Sequence, residues 1–570
     1  MLIKGAGMKE LQRRLFHSKT LASEIFLASF FVNLLSLASP IFVIQILSRY
    51  IGYGFDGTLY TLTSGMFIAL VLGAGFSVIR TRMCAALSIR PDEELQSAVL
   101  AALAGIKAEA LGRIPLARLQ EISLAPQSVQ AAFEASRIAA VLDMPFFLLF
   151  LFATFLLSPL LALITLLAVI CSLIAGGMNM TRARKADAVF RESHVAHRSM
   201  VNSAIAGGDT VRMFNAAQYL GRVWKEQIAR LLAFRNGIVN QKSYSQAVVQ
   251  SLGALLRVAV YAVGAKLVVL GDLTVGALIG ASILSAKALQ IASNYNQAAL
   301  GMTKAGDTLH MVGEFLALPR ESGSGSALKE YAGKLEFKDV AIAFPGASGP
   351  LFESLTVTME PGTIVGIMGK NGTGKTTLAK LAVGLYEPIR GQVLADGVDL
   401  RQLATEWWRS QVVYVPQEPA FLNGTYRENI TLLNRDVDEN RLNEIVRLVD
   451  LKGFLDASPT GLDTPVEEGG KTLSVGVRKR LALARALVGQ TKIAVFDEPT
   501  EGLDAEGCAA VYNVMNLFAK QRVTMLVVSS DPQIVKGFNA VVDLNSKPVP
   551  RIGVVRKNGN EAQAASAGKG

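Results

Sequence analysis

Apolar positions in the first 300 residues gather into long runs, separated alternately by short and long polar stretches. A helix needs ~20 mostly apolar residues to cross a bilayer. Six runs meet that length: 25–47, 59–79, 138–157, 160–178, 247–270 and 273–291. The first is long and lacks a small-residue cleavage pattern after it, so it reads as a retained span and not a signal peptide. The short connections, 52–58, Ser158-Pro159 and Gly271-Asp272, contain no Lys or Arg. The basic residues sit in the N-terminal tail (Lys4, Lys9, Arg13, Arg14, Lys19) and in the two long connections. The first of these has Arg80, Arg82, Arg90, Lys107, Arg113 and Arg118; the second has Arg182, Arg184, Lys185, Arg191, Arg198 and Arg212. Positive charge stays on the cytoplasmic side, so both termini and both long connections are expected there. Within those connections, 98–110 and 182–235 carry apolar residues at helical spacing. They predict helices continuing out of the membrane, with docking elbows near 116–123 and 204–213.

Beyond residue 318 the pattern changes. The Gly/Ser-rich stretch at 318–329 marks a boundary, and after it short β-like runs alternate with helical segments. That alternation predicts an α/β domain with a largely parallel sheet. The expected organisation is a membrane helical bundle with six spans over 1–310, a linker over 311–332, a nucleotide-binding α/β domain over 333–548 and a mobile tail over 549–570.

Composition agrees and narrows the classes. Of 570 residues, 51% are hydrophobic and 18% charged, against ~25% charged for an average soluble protein. This excludes a disordered chain. Cys84, Cys171 and Cys508 are isolated, which excludes a disulfide scaffold and a zinc module. The net charge of +11 is largely topological, so no nucleic-acid partner is expected and the bilayer is.

Four charges lie within the apolar runs: Asp143, Arg257, Lys266 and Lys287. A charge at the bilayer centre costs ~2.5–3.5 kcal/mol on insertion scales, so it faces a partner or an aqueous cavity. One reading pairs Asp143 with Arg257 and lets Lys266 snorkel to the interface. The other has Arg257 and Lys287 line a water-filled translocation path with a positive field.

The chemistry lies in the second half. The apolar strand at 364–368 is followed by Gly369-Lys-Asn371-Gly372-Thr-Gly374-Lys375-Thr376-Thr377, opening a helix. This is the phosphate-binding loop G-x-x-x-x-G-K-T in its strand–loop–helix setting. Its backbone N–H groups curl around phosphates at a helix N-terminus. Lys375 supplies charge to the β/γ-phosphates and the Thr376 hydroxyl can ligate Mg²⁺, so ATP and Mg²⁺ are the expected ligands. About 120 residues on, Ile-Ala-Val-Phe-Asp497-Glu498 gives a buried strand ending in a metal-holding Asp497 and a water-polarising Glu498.

Between these motifs stand Tyr414-Val-Pro-Gln417 and Leu473-Ser474-Val475-Gly476-Val477-Arg-Lys-Arg480, and after them Leu503-Asp504. This set, in this order, resembles the ABC-transporter ATPase domain over about residues 335–530. The resemblance implies that Gln417 is the glutamine loop, a metal ligand and part of the catalytic set, and that Ser474 and Gly476 are the signature. It also implies that Phe344 stacks on adenine; an ordinary core phenylalanine is the alternative. With six spans ahead of such a domain, the chain resembles an ABC exporter half-transporter. Leu142-Asp-Met-Pro-Phe-Phe147, Ala38-Ser-Pro-Ile-Phe42, Glu467-Glu-Gly-Gly470 and Asp504-Ala-Glu-Gly507 are similar to type I secretion ATPases. Among these the subgroup without an N-terminal peptidase-like domain fits best. The resemblance implies a dimer with a second copy or a homologous half-transporter, the signature of one chain completing the other's site. It further implies a bacterial inner-membrane location, a periplasmic adaptor, an outer-membrane channel and an unfolded polypeptide cargo, acidic if the path is positive.

Two departures stand out. The usual signature LSGGQ is Leu-Ser-Val-Gly-Val here, and Val475 brings bulk and a residue averse to φ > 0. The switch histidine expected after the strand at 524–528 is Ser530, which bonds hydrogen but carries no charge. Two readings follow. One is an active transport ATPase; the other is a weakly hydrolysing or regulatory half with a competent partner. An exporter of peptides, lipids or drugs is the further alternative.

Overall fold

The computed structural model describes residues 6–321, 323, 325–344, 349–432 and 437–554, with the side chains of all but 183–192 and 241–242. The chain divides into two compact units, Met1–Gly105 with Gly112–Leu318, and Ile106–Leu111 with Pro319–Gly570.

The first unit is helical: α1 (Ala6–His17), α2 (Lys19–Ser36), α3 (Ala38–Gln45), α4 (Asp56–Gly105), then α5 (Leu116–Ala132), α6 (Ala135–Leu142), α7 (Phe147–Leu157), α8 (Pro159–Ala206), α9 (Gly208–Met213), α10 (Ala217–Val269) and α11 (Val275–Leu316). Among the described residues five helices are long and apolar enough to cross a membrane, or six if the bent pair α6–α7 counts as one span. Their outer faces are apolar, with Phe67 68% and Phe152 59% exposed, as lipid contact requires. At ~1.5 Å per residue the 50 residues of α4 reach ~75 Å, far beyond a ~30 Å hydrocarbon core. The expected extension out of the membrane is therefore present there, and α8 and α10 behave alike.

Helix α11 packs against α10, α8, α7, α5, α1 and α3. Small residues allow this. A Cβ on Gly280 would lie 2.4 Å from the Ile44 side chain, so backbones meet where the sequence supplies glycine. Arg14, which the sequence offers only as a topology marker, is 2% exposed. It donates to Asp92 at 2.7 Å and lies 4.3 Å over the Phe133 ring.

The span that contains α6 and α7 breaks at Asp143-Met-Pro, where a 3-10 turn covers Met144–Phe146. Asp143 accepts from Arg80 Nη1 at 2.8 and 3.1 Å and from Asn33 Nδ2 at 2.8 Å. The expected Asp143–Arg257 pair is thus corrected: α4, not α10, supplies the cation, because α4 packs against α6. The first elbow also moves. Residues 116–123 lie inside α5, which packs on α11. The segment that groups with the second unit is Ile106–Leu111, with Lys107 N–H on the Pro319 carbonyl at 3.0 Å and Lys107 Nζ on Glu387 at 2.6 Å.

The second unit has strands β1 (Leu335–Ile342), β2 (Phe352–Met359), β3 (Ile364–Met368), β4 (Arg390–Ala395), β5 (Val398–Asp399), β6 (Val412–Val415), β7 (Ile493–Asp497), β8 (Thr524–Val528), β9 (Ala540–Asp543) and β10 (Arg551–Val554). Its main helices are α12 (Lys375–Ala382), α13 (Val475–Val488) and α14 (Ala505–Lys520). One sheet has order β2-β1-β4-β5 and is antiparallel; the other has order β10-β9-β3-β8-β7-β6 and is parallel except for the β9–β10 edge. Every residue of β7 and β8 is buried, as expected for parallel strands covered on both faces. Two boundaries differ from expectation. Helix α11 runs to Leu316, inside the expected linker. Strand β10 lies inside the expected tail, where Arg551–Val554 pairs with Ala540–Asp543; residues 555–570 lie outside the described residues.

Candidate active site

Parallel register assembles the site. Val528 pairs with Asp497 on one side and Ile367 on the other, and Val415 pairs with Phe496. The C-terminal ends of β3, β8, β7 and β6 therefore lie side by side. The phosphate loop, Ser530, Asp497-Glu498 and Gln417 all leave from that edge, where ligands bind in open parallel sheets.

The loop itself curls as its glycines allow. Gly374 caps α12 at φ 107, and a Cβ there would also meet Leu351 at 2.5 Å. Asn545 steadies the loop, accepting the Lys370 N–H at 2.9 Å. Lys375 Nζ donates to the Gly369 carbonyl at 2.9 Å and lies 3.9 Å from Glu498 Oε1. Asn371 and Gly372 are exposed at the loop's tip, and Thr376 and Thr377 are half-buried on the first turn of α12.

Asp497 is 1% exposed. Burial pushes its carboxyl above the usual range, while the Thr376 hydroxyl and the Tyr414 phenol pull it back. The Tyr414 hydroxyl lies 3.4 Å from Oδ2, and Oδ1 is buried without a hydrogen-bond partner among the described residues. An orphaned buried carboxylate oxygen beside a threonine hydroxyl is a hard-oxygen donor set of the kind Mg²⁺ takes, one or two carboxylates with the rest from phosphate and water. The residues fit the ion.

Glu498 adopts φ 45, a sparsely populated region for a residue with a Cβ. Three contacts hold it there. Its N–H donates to the Val528 carbonyl at 2.9 Å, its carbonyl accepts from Lys479 Nζ at 2.8 Å, and its carboxylate accepts from the Ser530 backbone N–H. Burial raises its carboxyl, and Lys375 opposes that rise. Such an acid is poised for proton abstraction nearer neutrality than a free glutamate.

Gln417 is exposed, and its amide donates to Glu501 at 2.8 Å rather than to Asp497 or Thr376. Ser530 meets Glu498 through its backbone. Phe344 is 36% exposed and sits edge-on to Tyr386 with ring centroids 6.1 Å apart, so a rim position replaces the core-phenylalanine alternative. Ser474 caps α13, its hydroxyl accepting from the Val477 N–H at 3.3 Å. Val475 is the first residue of α13 and Gly476 the second, both with ordinary helical backbone. The expected φ > 0 conflict at Val475 is thus corrected: the position is helical, and valine there adds bulk (44% exposed) without strain.

Lys479 is the residue sequence reasoning missed. It is 2% exposed and bonds the Glu498 and Glu501 carbonyls at 2.8 and 2.7 Å. Burial lowers its pKa, and the acids around it oppose the fall. In the sequence it lies within Arg478-Lys-Arg480, which reads as a solvated basic run.

Two family models match the chain: the ABC transporter transmembrane region over residues 23–291 and the ABC transporter over residues 352–501. The chain belongs to the ABC transporters. Leukotoxin export ATP-binding protein LtxB of Aggregatibacter actinomycetemcomitans and alpha-hemolysin translocation ATP-binding protein HlyB of Escherichia coli are each 26% identical, over 91% of this chain and 73% of the relative. Exotoxin translocation ATP-binding protein PaxB of Pasteurella aerogenes is 26% identical over 88% of this chain and 71% of its own. A solved bacterial Atm1-family ABC exporter with ATP bound shares the fold at TM-score 0.81, covering 94% of both chains at 19% identity. The ABC transporter is accordingly a multi-pass membrane protein with an ATP-binding, ATP-hydrolysing unit and an exporter fold.

Proposed function

We propose that this ABC exporter is the inner-membrane ATPase of a type I secretion system, moving an unfolded polypeptide out of the cytoplasm. The observation that carries the reading is one chain holding both an exporter membrane unit and a complete phosphate-loop, Asp497 and Glu498 edge. Its relatives are named for toxin export and translocation. Two copies form the unit, with Ser474 and Gly476 of each chain facing the nucleotide of the other. A periplasmic adaptor and an outer-membrane channel complete the conduit, and both termini face the cytoplasm.

In this reading the 369–377 loop and Lys375 hold the ATP phosphates, and Phe344 stacks on the adenine. Thr376, Asp497 and Gln417 hold Mg²⁺, which when bound neutralises phosphate charge; Gln417 reaches it by releasing Glu501. Glu498 takes the proton of the water that attacks the γ-phosphate. Ser530 positions Glu498 through its N–H but brings no charge of its own. An intact metal and water-polarising edge favours active hydrolysis over a regulatory half. The test is the secreted proteome of cells lacking this chain, compared with cells carrying wild type or Glu498→Gln. Loss of one or a few polypeptides from the medium in both the null and the variant is expected. An unchanged set of secreted polypeptides would overturn the proposal.

A further inference from the structure

The charges in the apolar runs differ in how they are satisfied. Asp143 is closed on Arg80 and Asn33. Arg257 is exposed and makes no hydrogen bond or ion pair among the described residues, and it lines an open cavity of about 270 Å³ between α10 and α11. Lys287 is exposed and is not among the lining residues. The cavity's polar groups are Arg257, Ser282, Ser285, Gln290 and Ser293; no Asp or Glu lines it. Ser285 is engaged, 2.7 Å from the Thr165 hydroxyl. Ser282 is 7% exposed with no partner among the described residues. Leu256, Val260 and Leu289 make up apolar wall.

A guanidinium fork, the Ser282 hydroxyl and a primary amide beside an apolar wall select an anion with planar, bidentate acceptors, which is a carboxylate. Depth decides where the carboxylate comes from. Arg257 precedes the end of α10 at Val269 by ~18 Å at ~1.5 Å per residue, the middle of a ~30 Å hydrocarbon core. Lipid headgroups lie at the interface, so the carboxylate must travel through the membrane unit on a transported molecule. The volume falls just below the ~300–1,000 Å³ of small-ligand pockets and suits one or two side chains, not a folded segment.

We propose that the Arg257 cavity is a carboxylate-binding subsite of the export path, taking Asp or Glu side chains of an unfolded cargo in transit. The identity of the cargo rests on the polypeptide reading above; the carboxylate chemistry does not. The full chain in zwitterionic nanodiscs is titrated with three probes: a labelled Asp-rich peptide, its Asn-substituted copy and N-acetylglutamate. Wild type should bind the Asp-rich peptide and N-acetylglutamate, with the Asn copy much weaker. Arg257→Met should weaken both acidic probes about tenfold or more, as loss of a charge-assisted bidentate contact does. Arg257→Lys keeps the charge but loses the fork, so its binding should fall between wild type and Arg257→Met, the part retained also reporting that the helix pair is folded, and Ser282→Ala should weaken binding less than Arg257→Met. Arg257-dependent binding of N-acetylglutamate but of neither peptide keeps the subsite and removes the polypeptide cargo. Peptide binding indifferent to Arg257, or equal for the Asp and Asn peptides, keeps the cargo and overturns the subsite. Binding of neither acidic probe to wild type overturns the subsite. Abolition of acidic-probe binding by anionic phosphatidylglycerol in the disc would reassign the cavity to lipid and also overturn it.

Discussion

The phosphate-loop edge and the signature side of the ATPase unit were built under different constraints. At the edge, Lys375 follows β3 while Asp497 and Glu498 end β7, with β8 between those two strands, and their neighbours hold them within a few ångströms: Gly369, Val528, Lys479 and Tyr414. On the signature side, the Ser474 hydroxyl bonds only its own helix among the described residues, and Val475 projects outward. In the first region Lys375, Asp497 and Glu498, whose side chains are held, match their motif, while Ser530, which meets Glu498 through its backbone alone, does not. In the second, which the proposed dimer would complete from another chain, Val475 and Val477 depart from the usual signature. A motif is tightly fixed where its side chains satisfy one another; it can vary where only the backbone and one hydroxyl are demanded.

The comparison breaks first at Lys375. Lys375→Ala should abolish nucleotide binding and with it hydrolysis; unchanged ATP affinity by equilibrium titration would mean the edge is not the nucleotide site. Glu498→Gln should keep ATP binding while slowing hydrolysis by ~10²–10⁴, the usual worth of a positioned general base. The same residue sets a pH test. Burial raises its carboxyl and the ionised form is the base, so kcat should fall on acidification through a limb above the ~4.3 of a free glutamate. A limb at the ordinary glutamate value would show that its surroundings do not tune it.

Smaller effects sharpen the other side. If the missing imidazole limits turnover, Ser530→His should raise ATPase activity by up to ~10²-fold. No gain would place the limit at Val475 and Val477 or in an adapted geometry. Lys479→Met strips a buried charged donor from two backbone carbonyls, a loss of ~1.5–3 kcal/mol per charged hydrogen bond in stability terms. If its task is to hold Glu498 at its strained φ, kcat should drop about tenfold with little change in the KM for ATP. Loss of thermal stability with kcat intact would confine Lys479 to a structural role.

Several features were legible from local pattern alone. Span positions follow from runs of apolar residues long enough to replace bilayer lipid contacts, and the phosphate loop follows from glycine spacing between a strand and a helix. Both depend on residues near each other in the chain. The third span reads in the sequence as one run over 138–157, and its break at Asp143-Met-Pro was shown only by the structure.

Chain-distant partners were decided only by tertiary structure. Asp143 could have faced any membrane cation; packing of α4 on α6 chose Arg80 and left Arg257 to a cavity. Arg14 and Lys479 looked like solvated charge because a lone basic residue in a basic run carries no sign of burial. Each became interior because an acid or a pair of carbonyls, 78 and about 20 residues away, closed over it. Val475 looked strained because a glycine was missing from a motif, and the fold removed the strain by making that position the first turn of a helix. Periodicity and spacing are carried by covalent neighbours, so the sequence by itself determines them. Which charge meets which is set by the register of strands and the crossing of helices, and those exist only once the chain has folded.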